Sequence, residues 1–257
     1  MGTVELRANC EGFSFSGPIQ INVDYPTVDK ASLELVVEND TEKNKYLKCV
    51  VDVCDANYSL AIRRAKEVVE LFVEEITLFC GHYNGFFIGE IKVINANLNG
   101  NGESSFGFSV NVRQDAVLTD TEQNKLREAL GVIDCNNVYR RLYRAAMQCV
   151  DPVAKFMFLY SILYEIVNLN TNESKQGKVD KYIRKNYRNK PSLYQKDEDK
   201  PTRKKGCNFK ETIYTYIRNE IGHTDDGVHI NDTTRRAAEN CRRLAEIVQK
   251  AIIELEK

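Results

Sequence analysis

The stretch Tyr216-Ile217-Arg218-Asn219-Glu220-Ile221-Gly222-His223 decides the fold that we predict for the C-terminal half of the chain. Apolar residues recur there every four positions, which predicts a helix with one buried face, at Ile213, Ile217 and Ile221. Gly222 predicts the helix end, because glycine adopts the left-handed conformation at little cost. A straight helix turns by about 140° over five residues and would point Arg218 and His223 apart. We therefore predict a break at Gly222 that returns His223 towards Arg218.

The segments around this stretch predict a helical bundle. Residues 153–167 are apolar around most of their circumference, so this helix is expected at the bundle centre, with Asp151-Pro152 at its start. Glu165 in this helix needs a partner if it is buried, and Arg218 is a candidate; the alternative is a solvent-facing Glu165. Residues 233–255 carry a stripe that packs within the bundle or against a second copy, formed by Ala237, Cys241, Leu244, Val248, Ala251 and Leu255.

The first half of the sequence predicts strands around one long helix. Apolar and β-branched residues indicate strands at 4–10, 12–23, 31–37 and 46–54, and a hairpin with a turn at 97–102 and strands at 86–95 and 106–112. Residues 60–79 place apolar side chains on a single stripe. We expect this helix to pack on an antiparallel sheet. The segment shows no catalytic pattern, and His82 is predicted to be a capping or surface residue.

The fold class that follows is α+β with two domains. Thr119 and Glu122 form a predicted capping box at the start of the helical half. We predict a β-rich domain at residues 1–118 that senses or docks a regulatory partner, and an all-α domain at residues 119–257.

Composition excludes several classes of protein. The chain has 257 residues and contains no apolar run of about 18 residues, so no membrane helix is predicted. Its start lacks the features of a signal peptide, and we expect a cytoplasmic protein. With 8 cysteines but no Cys-x-x-Cys pair and only 3 histidines, it predicts reduced thiols, several of them buried, and neither a zinc site nor a cofactor.

Charge is distributed unevenly along the chain. Residues 1–118 hold 10 basic and 17 acidic side chains, whereas residues 119–257 hold 26 basic and 20 acidic ones. Residues 175–210 are the most basic segment and also contain tyrosines, a composition that suits single-stranded RNA; the alternative is a solvated loop. We predict RNA contacts from Lys181, Arg184, Lys185, Arg188, Arg203, Lys204, Lys205 and, outside this segment, Tyr214.

Arg218-Asn219-x-x-x-His223 resembles the Arg-x4-His motif of the HEPN superfamily, whose small helical domains occur in prokaryotic toxins, CRISPR-associated ribonucleases and antiphage proteins. The resemblance covers roughly residues 120–257. It implies a HEPN-like helical bundle, a metal-independent endoribonuclease that leaves a 2′,3′-cyclic phosphate, and a homodimer whose two motifs line one cleft.

The resemblance and RNA chemistry together suggest roles for individual residues. The arginine fork of Arg218 suits phosphate binding and stabilisation of the developing charge, and His223 suits general acid or base catalysis. Asn219 is expected to orient His223 or the phosphate. Tyr214 lines the cleft in one interpretation and is a core residue in the other.

Two other functions stay open. In the first, the Arg218 and His223 pair is structural and the helical domain is a non-catalytic module that binds RNA or protein. In the second, the chain is an accessory protein of a metabolic operon, where HEPN-like chains also occur.

Overall fold

The computed structural model describes residues 2–38, 44–54, 57–83, 85–98, 116–130, 137–169, 175–196, 199–201, 210–222 and 230–255. The chain divides into two compact units, which we call unit 1 (Met1–Asn137) and unit 2 (Val138–Lys257). Unit 1 contains an antiparallel sheet and unit 2 is mostly helical, which confirms the predicted α+β class.

The sheet of unit 1 is built around its first strand. Its members are β1 (Gly2–Glu11), β3 (Ile19–Tyr25), β4 (Val28–Glu38), β5 (Asn44–Val53), β6 (Phe87–Ile88) and β7 (Lys92–Leu98). The strand order is β3-β4-β5-β1, and β6 and β7 both pair with the other edge of β1. All these pairings are antiparallel. The short strands β2 (Phe13–Ser14) and β8 (Ala116–Val117) form a separate parallel pair.

One face of this sheet is covered by helix α1 (Tyr58–Cys80). Alternate residues of β1 are buried because successive strand side chains point to opposite faces, as shown by Val4, Leu6, Ala8 and Cys10. They share one core with the apolar stripe of α1, namely Ala61, Ala65, Val69, Phe72 and Ile76. The predicted packing of a helix on an antiparallel sheet is confirmed. Of the turn predicted at 97–102, Asn97 and Leu98 belong to β7 instead, and the rest of it lies outside the described residues, as does the predicted strand at 106–112.

Helix α2 (Asp120–Leu130) belongs to unit 1. Its start is the predicted capping box: Thr119 donates its backbone N–H to Glu122 Oε2 at 2.9 Å, and the Glu122 N–H donates to Thr119 Oγ1 at 3.3 Å. The hydrogen bonds that Thr119 donates to the Glu122 carboxylate from its backbone N–H and its hydroxyl lower the pKa of this carboxyl. Leu126 and Leu130 are buried in the core of unit 1. This packing places α2 with the sheet, whereas the sequence predicts a domain boundary at residues 118/119.

Unit 2 is a bundle arranged around one apolar helix. Its helices are α3 (Val138–Gln148), α4 (Pro152–Asn168), α5 (Gln176–Tyr187), α6 (Ile213–Gly222) and α7 (Ile230–Leu255). Helix α4 contacts each of the other four, as its apolar circumference predicts. Asp151 caps it by accepting from the Ala154 N–H at 2.7 Å, with Pro152 at the first position. Strands β9 (Lys200–Pro201) and β10 (Lys210–Glu211) form a short ladder.

Two alternatives that the sequence left open are answered by burial. Glu165 is exposed, so the solvent-facing alternative holds. The α7 stripe packs inside unit 2, where α7 contacts α3, α4 and α6 and its buried members are Ala237, Cys241, Leu244, Val248 and Ala251.

The described cysteines are free thiols, and four are buried, namely Cys10, Cys49, Cys80 and Cys241. Burial raises the pKa of the Cys241 thiol to about 11, which makes it a weak nucleophile near neutral pH. Within the described part of the chain, no helix has both the length and the apolar character that a membrane span requires.

Candidate functional site

The start of α6 is fixed by a buried polar cluster. Asp180 of α5 accepts from the Thr212 backbone N–H at 2.9 Å and from its hydroxyl at 2.6 Å. The Thr215 hydroxyl lies 3.0 Å from the hydroxyl of Tyr160 in α4. Asp180 is fully buried, and desolvation raises the pKa of its carboxyl despite these hydrogen bonds. Helix α6 is therefore anchored to α5 and α4 one and a half turns before Arg218.

Arg218 is half-buried on α6 and is held by two amide oxygens. Its Nη1 donates to Asn219 Oδ1 at 3.1 Å. Gln176, the first residue of α5, accepts from Nε at 3.2 Å and from Nη1 at 2.7 Å when its amide oxygen faces the guanidinium. We assign this orientation because it places an acceptor against donors. Among the described residues, no partner occupies the hydrogens of Nη2.

A buried carboxylate fixes the orientation of the Asn219 amide. Asn219 Nδ2 donates to Glu211 Oε1 at 3.0 Å, and Glu211 is 8% exposed. The amide nitrogen of Asn219 therefore faces Glu211, and its amide oxygen faces Arg218. The sequence predicts a role for Asn219 towards His223 or a phosphate; the structure places it between Glu211 and Arg218.

The guanidinium of Arg218 therefore differs from its neighbours in charge environment. It forms no ion pair with any carboxylate among the described residues, since both of its partners are neutral amides. By contrast, Arg236 of α7 donates to both oxygens of Glu220 in α6, at 2.9 and 3.1 Å. Amide oxygens orient an arginine without neutralising it, so the positive charge of Arg218 remains available to an anion.

His223 lies outside the described residues. The preceding residue, Gly222, belongs to α6, and an ideal Cβ on it would lie 3.8 Å from Arg218 Nη1. The chain therefore passes beside the guanidinium immediately before His223. Helix α6 ends at Gly222 as predicted, but Gly222 does not have a left-handed φ, so the predicted conformation of this helix end is wrong. The predicted return of His223 towards Arg218 stays a prediction.

The RNA-binding residues predicted in the basic segment fall into three groups. Lys181 and Lys185 are exposed on α5. Arg184 and Arg188 are also on or next to α5, but both approach Asp199, at 3.3 and 3.8 Å, and Arg184 donates to the Lys210 carbonyl oxygen. The remaining three predicted contacts lie outside the described residues, namely Arg203, Lys204 and Lys205.

Part of the basic segment is folded against the bundle. Residues 176–187 form α5, and Leu193 and Tyr194 after it are buried. Tyr214 is fully buried and donates its hydroxyl to the Leu193 carbonyl oxygen at 2.8 Å. It occupies the core position that the sequence left open as the alternative to a cleft residue, and direct RNA contact by Tyr214 is not supported.

Sequence reasoning missed Gln176 and Glu211. Gln176 lies far from Arg218 along the chain, Glu211 lies just before the start of α6, and neither is marked by a motif or a period. The basic composition of residues 175–210 predicts a role for the cations of α5 and gives no signal for the neutral amide of Gln176 at its first position. Within the part of the chain that the structure describes, no group of three His, Cys, Asp or Glu residues could hold a metal ion.

Comparison with known proteins gives one finding. Residues 139–253 match the family model of the methylamine utilization protein MauJ. The match covers nearly all of unit 2 and includes Arg218, Asn219 and His223, and it does not extend into unit 1. No curated protein and no solved structure gives a significant match.

Proposed function

We propose that unit 2 is a HEPN-type, metal-independent endoribonuclease. The observation that carries this proposal is the amide-held guanidinium of Arg218, whose Nη2 faces no described partner and whose charge no described carboxylate neutralises. An arginine of this kind suits a phosphate ligand. The Arg-x4-His spacing adds a histidine directly after Gly222, on which an ideal Cβ would lie 3.8 Å from Arg218 Nη1.

Each residue then has a defined chemical task. A base removes the proton of the RNA 2′-hydroxyl, and the 2′-oxygen forms a bond to the adjacent phosphorus while the bond from phosphorus to the 5′-oxygen breaks. An acid protonates the leaving 5′-oxygen. His223 acts as acid or base, because its ordinary pKa lies near neutral pH. Arg218 binds the phosphate and stabilises the charge of the pentavalent transition state.

The remaining parts of the proposal concern partners. RNA is the substrate, and the exposed Lys181 and Lys185 guide its backbone. We expect a homodimer through unit 2 that brings two Arg218 and His223 pairs to one cleft. Unit 1 would bind a regulatory partner, and the protein would act in the cytoplasm as a toxin or antiphage effector.

The test is incubation of the full chain with total RNA in EDTA, comparing wild type with His223→Ala. Arg235→Ala is the matched control, since Arg235 is exposed and its partners among the described residues are the exposed carboxylates of Asp232 and Glu239. We expect cleavage by wild type and by the control, and none by His223→Ala with an unchanged circular dichroism spectrum. Intact RNA with wild type, or equal cleavage by His223→Ala, would contradict the proposal.

Growth of cells that express the chain tests the proposed toxin activity. We expect wild type to arrest growth and His223→Ala to permit it. Equal growth of the two strains would contradict the toxin activity. The proposed RNA cleavage would then still be tested by the assay in EDTA.

The match to the MauJ family model favours a second candidate, a non-catalytic accessory module linked to methylamine utilization. In this case Arg218 and His223 are structural, and Arg218→Ala lowers the melting temperature without any cleavage to lose. Genes for amine oxidation beside the gene for this chain, together with no cleavage by wild type, would favour this candidate over the ribonuclease.

A further inference from the structure

We infer that Gln176 is a positioning residue whose neutral amide holds Arg218 in place without neutralising it; this inference rests on the proposed function. With its amide oxygen towards Arg218, Gln176 lies 3.2 Å from Nε and 2.7 Å from Nη1, and the same oxygen lies 3.3 Å from Asn219 Oδ1. The other partner of Nη1 is Asn219. Both amide oxygens therefore lie against Nη1, and no described residue forms a hydrogen bond with Nη2.

The contacts from Gln176 and Asn219 restrict the orientation of the Arg218 guanidinium and of its Nη2 atom. Gln176 lies on α5 and Asn219 on α6, so the guanidinium is fixed from two elements. Asn219 is in turn fixed by Glu211, which is almost completely buried. A guanidinium held in this way loses little conformational freedom when it binds a phosphate oxygen, which favours the bound geometry.

The charge of the group at position 176 affects phosphate binding by Arg218 as much as its position does. Glutamate has nearly the same size as glutamine and would form a charge-assisted pair with Arg218. Such a pair would hold the side chain more firmly but would compete with phosphate for the positive charge. The variant Gln176→Glu therefore separates two roles of Arg218. If Arg218 is structural, the glutamate leaves the stability of the protein unchanged or increases it. If Arg218 binds phosphate, the glutamate prevents this binding.

The described residues leave space next to Gln176 at the start of α5. An ideal Cβ on Gly177, the residue after Gln176, meets no described atom within 4 Å. Lys175, the residue before Gln176, is exposed. A phosphate group of RNA can approach this end of α5, where the backbone dipole also favours negative charge.

The experiment compares Gln176→Glu and Gln176→Ala in the full chain, with Gln148→Glu as the matched control. Gln148 is exposed at the end of α3, so its variant adds the same negative charge to unit 2. Readouts are the initial rate of RNA cleavage in EDTA, the Kd for a single-stranded RNA, the melting temperature and the ¹⁵N–¹H signal of Arg218 Nε. That signal is assigned by its loss in Arg218→Lys.

We expect Gln176→Glu to lower the cleavage rate and the RNA affinity at least about tenfold relative to Gln148→Glu, with an equal or higher melting temperature. We expect Gln176→Ala to shift the Arg218 Nε signal and to reduce the rate by a smaller factor. Equal rates and affinities for Gln176→Glu and Gln148→Glu overturn the inference.

The nuclear magnetic resonance signal separates failure of this inference from failure of the proposed function. Absence of RNA cleavage by wild type contradicts the ribonuclease. An Arg218 Nε signal that is identical in wild type and Gln176→Ala overturns the positioning role of Gln176, whatever the chain does to RNA.

Discussion

Arg218 of α6 and Arg236 of α7 differ in the groups that bind their guanidinium groups. Arg236 meets the carboxylate of Glu220, which is 6% exposed, through two hydrogen bonds. Arg218 meets the amide oxygens of Gln176 and Asn219. The first arrangement compensates a buried negative charge and belongs to the fold. The second orients a positive charge and leaves it uncompensated by its immediate partners, as a site for an anionic ligand requires.

The largest expected effect follows from removal of the uncompensated arginine. Arg218→Ala should reduce RNA cleavage by about 10²–10³, the usual cost of removing a donor that stabilises transition-state charge. Arg218→Lys should recover only part of this loss, because an ammonium lacks the planar fork. Initial rates in EDTA measure both effects. A loss of melting temperature as large as that of Arg236→Ala, with unchanged activity, would show that the two arginines have the same role.

The second effect concerns the compensated arginine. Arg236→Ala should lower the free energy of unfolding by about 2 kcal/mol, because it removes a cation from the buried carboxylate of Glu220; partial exposure of Arg236 reduces the full cost. Activity per folded molecule should not change. Urea denaturation measures the stability. Glu220→Gln with Arg236→Ala should restore part of the loss, and failure of this double variant to do so would contradict the role of the pair.

The third effect is a pH dependence at the anchored start of α6. Desolvation raises the folded-state pKa of Asp180, so its neutral form is favoured in the folded protein. Stability from this residue is therefore complete below the ordinary carboxyl pKa and is lost as the pH rises through the folded-state value. Asp180→Asn removes this dependence and keeps an oxygen for Thr212. The difference in unfolding free energy between variant and wild type should grow in favour of the variant from about pH 4 upwards.

Urea denaturation across this pH range measures the difference. A constant difference, or one that falls with increasing pH, would contradict the assignment of a raised pKa to Asp180.

The smallest effect is expected from the exposed lysines of α5. Lys181→Ala and Lys185→Ala should each weaken single-stranded RNA binding a few-fold and reduce the slope of log Kd against log salt by about 0.7. Lys250→Ala, an exposed lysine of α7, is the control. Equal slopes for all three variants and wild type would place the RNA path away from α5.

The sequence predicts the elements of both units because their burial is periodic. The β1 alternation and the α1 stripe together determine a helix on a sheet, and the apolar circumference of α4 determines the bundle centre. The capping box at Thr119 was also predictable, since both of its partners lie within one helical turn. The membership of α2 in unit 1 was not, because it depends on Leu126 and Leu130 meeting a distant core.

The candidate site could be predicted only in part. Arg218 and Asn219 stand out through their spacing from His223, whereas Gln176 and Glu211 join them through tertiary packing of α5 and of the segment before α6. Charge alone overestimated Arg184, whose guanidinium approaches Asp199 and the Lys210 carbonyl oxygen. Composition counts cations, but only coordinates identify those already engaged by carboxylates.

The central claim is that Arg218 and His223 cleave RNA by attack of its own 2′-hydroxyl. The most direct measurement uses an RNA oligonucleotide with one mapped cleavage site and its counterpart with a single 2′-deoxy substitution before that site, both in EDTA. We predict that wild type cleaves the first to a product that ends in a 2′,3′-cyclic phosphate and leaves the second intact at that site. Cleavage of the deoxy-substituted oligonucleotide at the same position and rate would contradict this account.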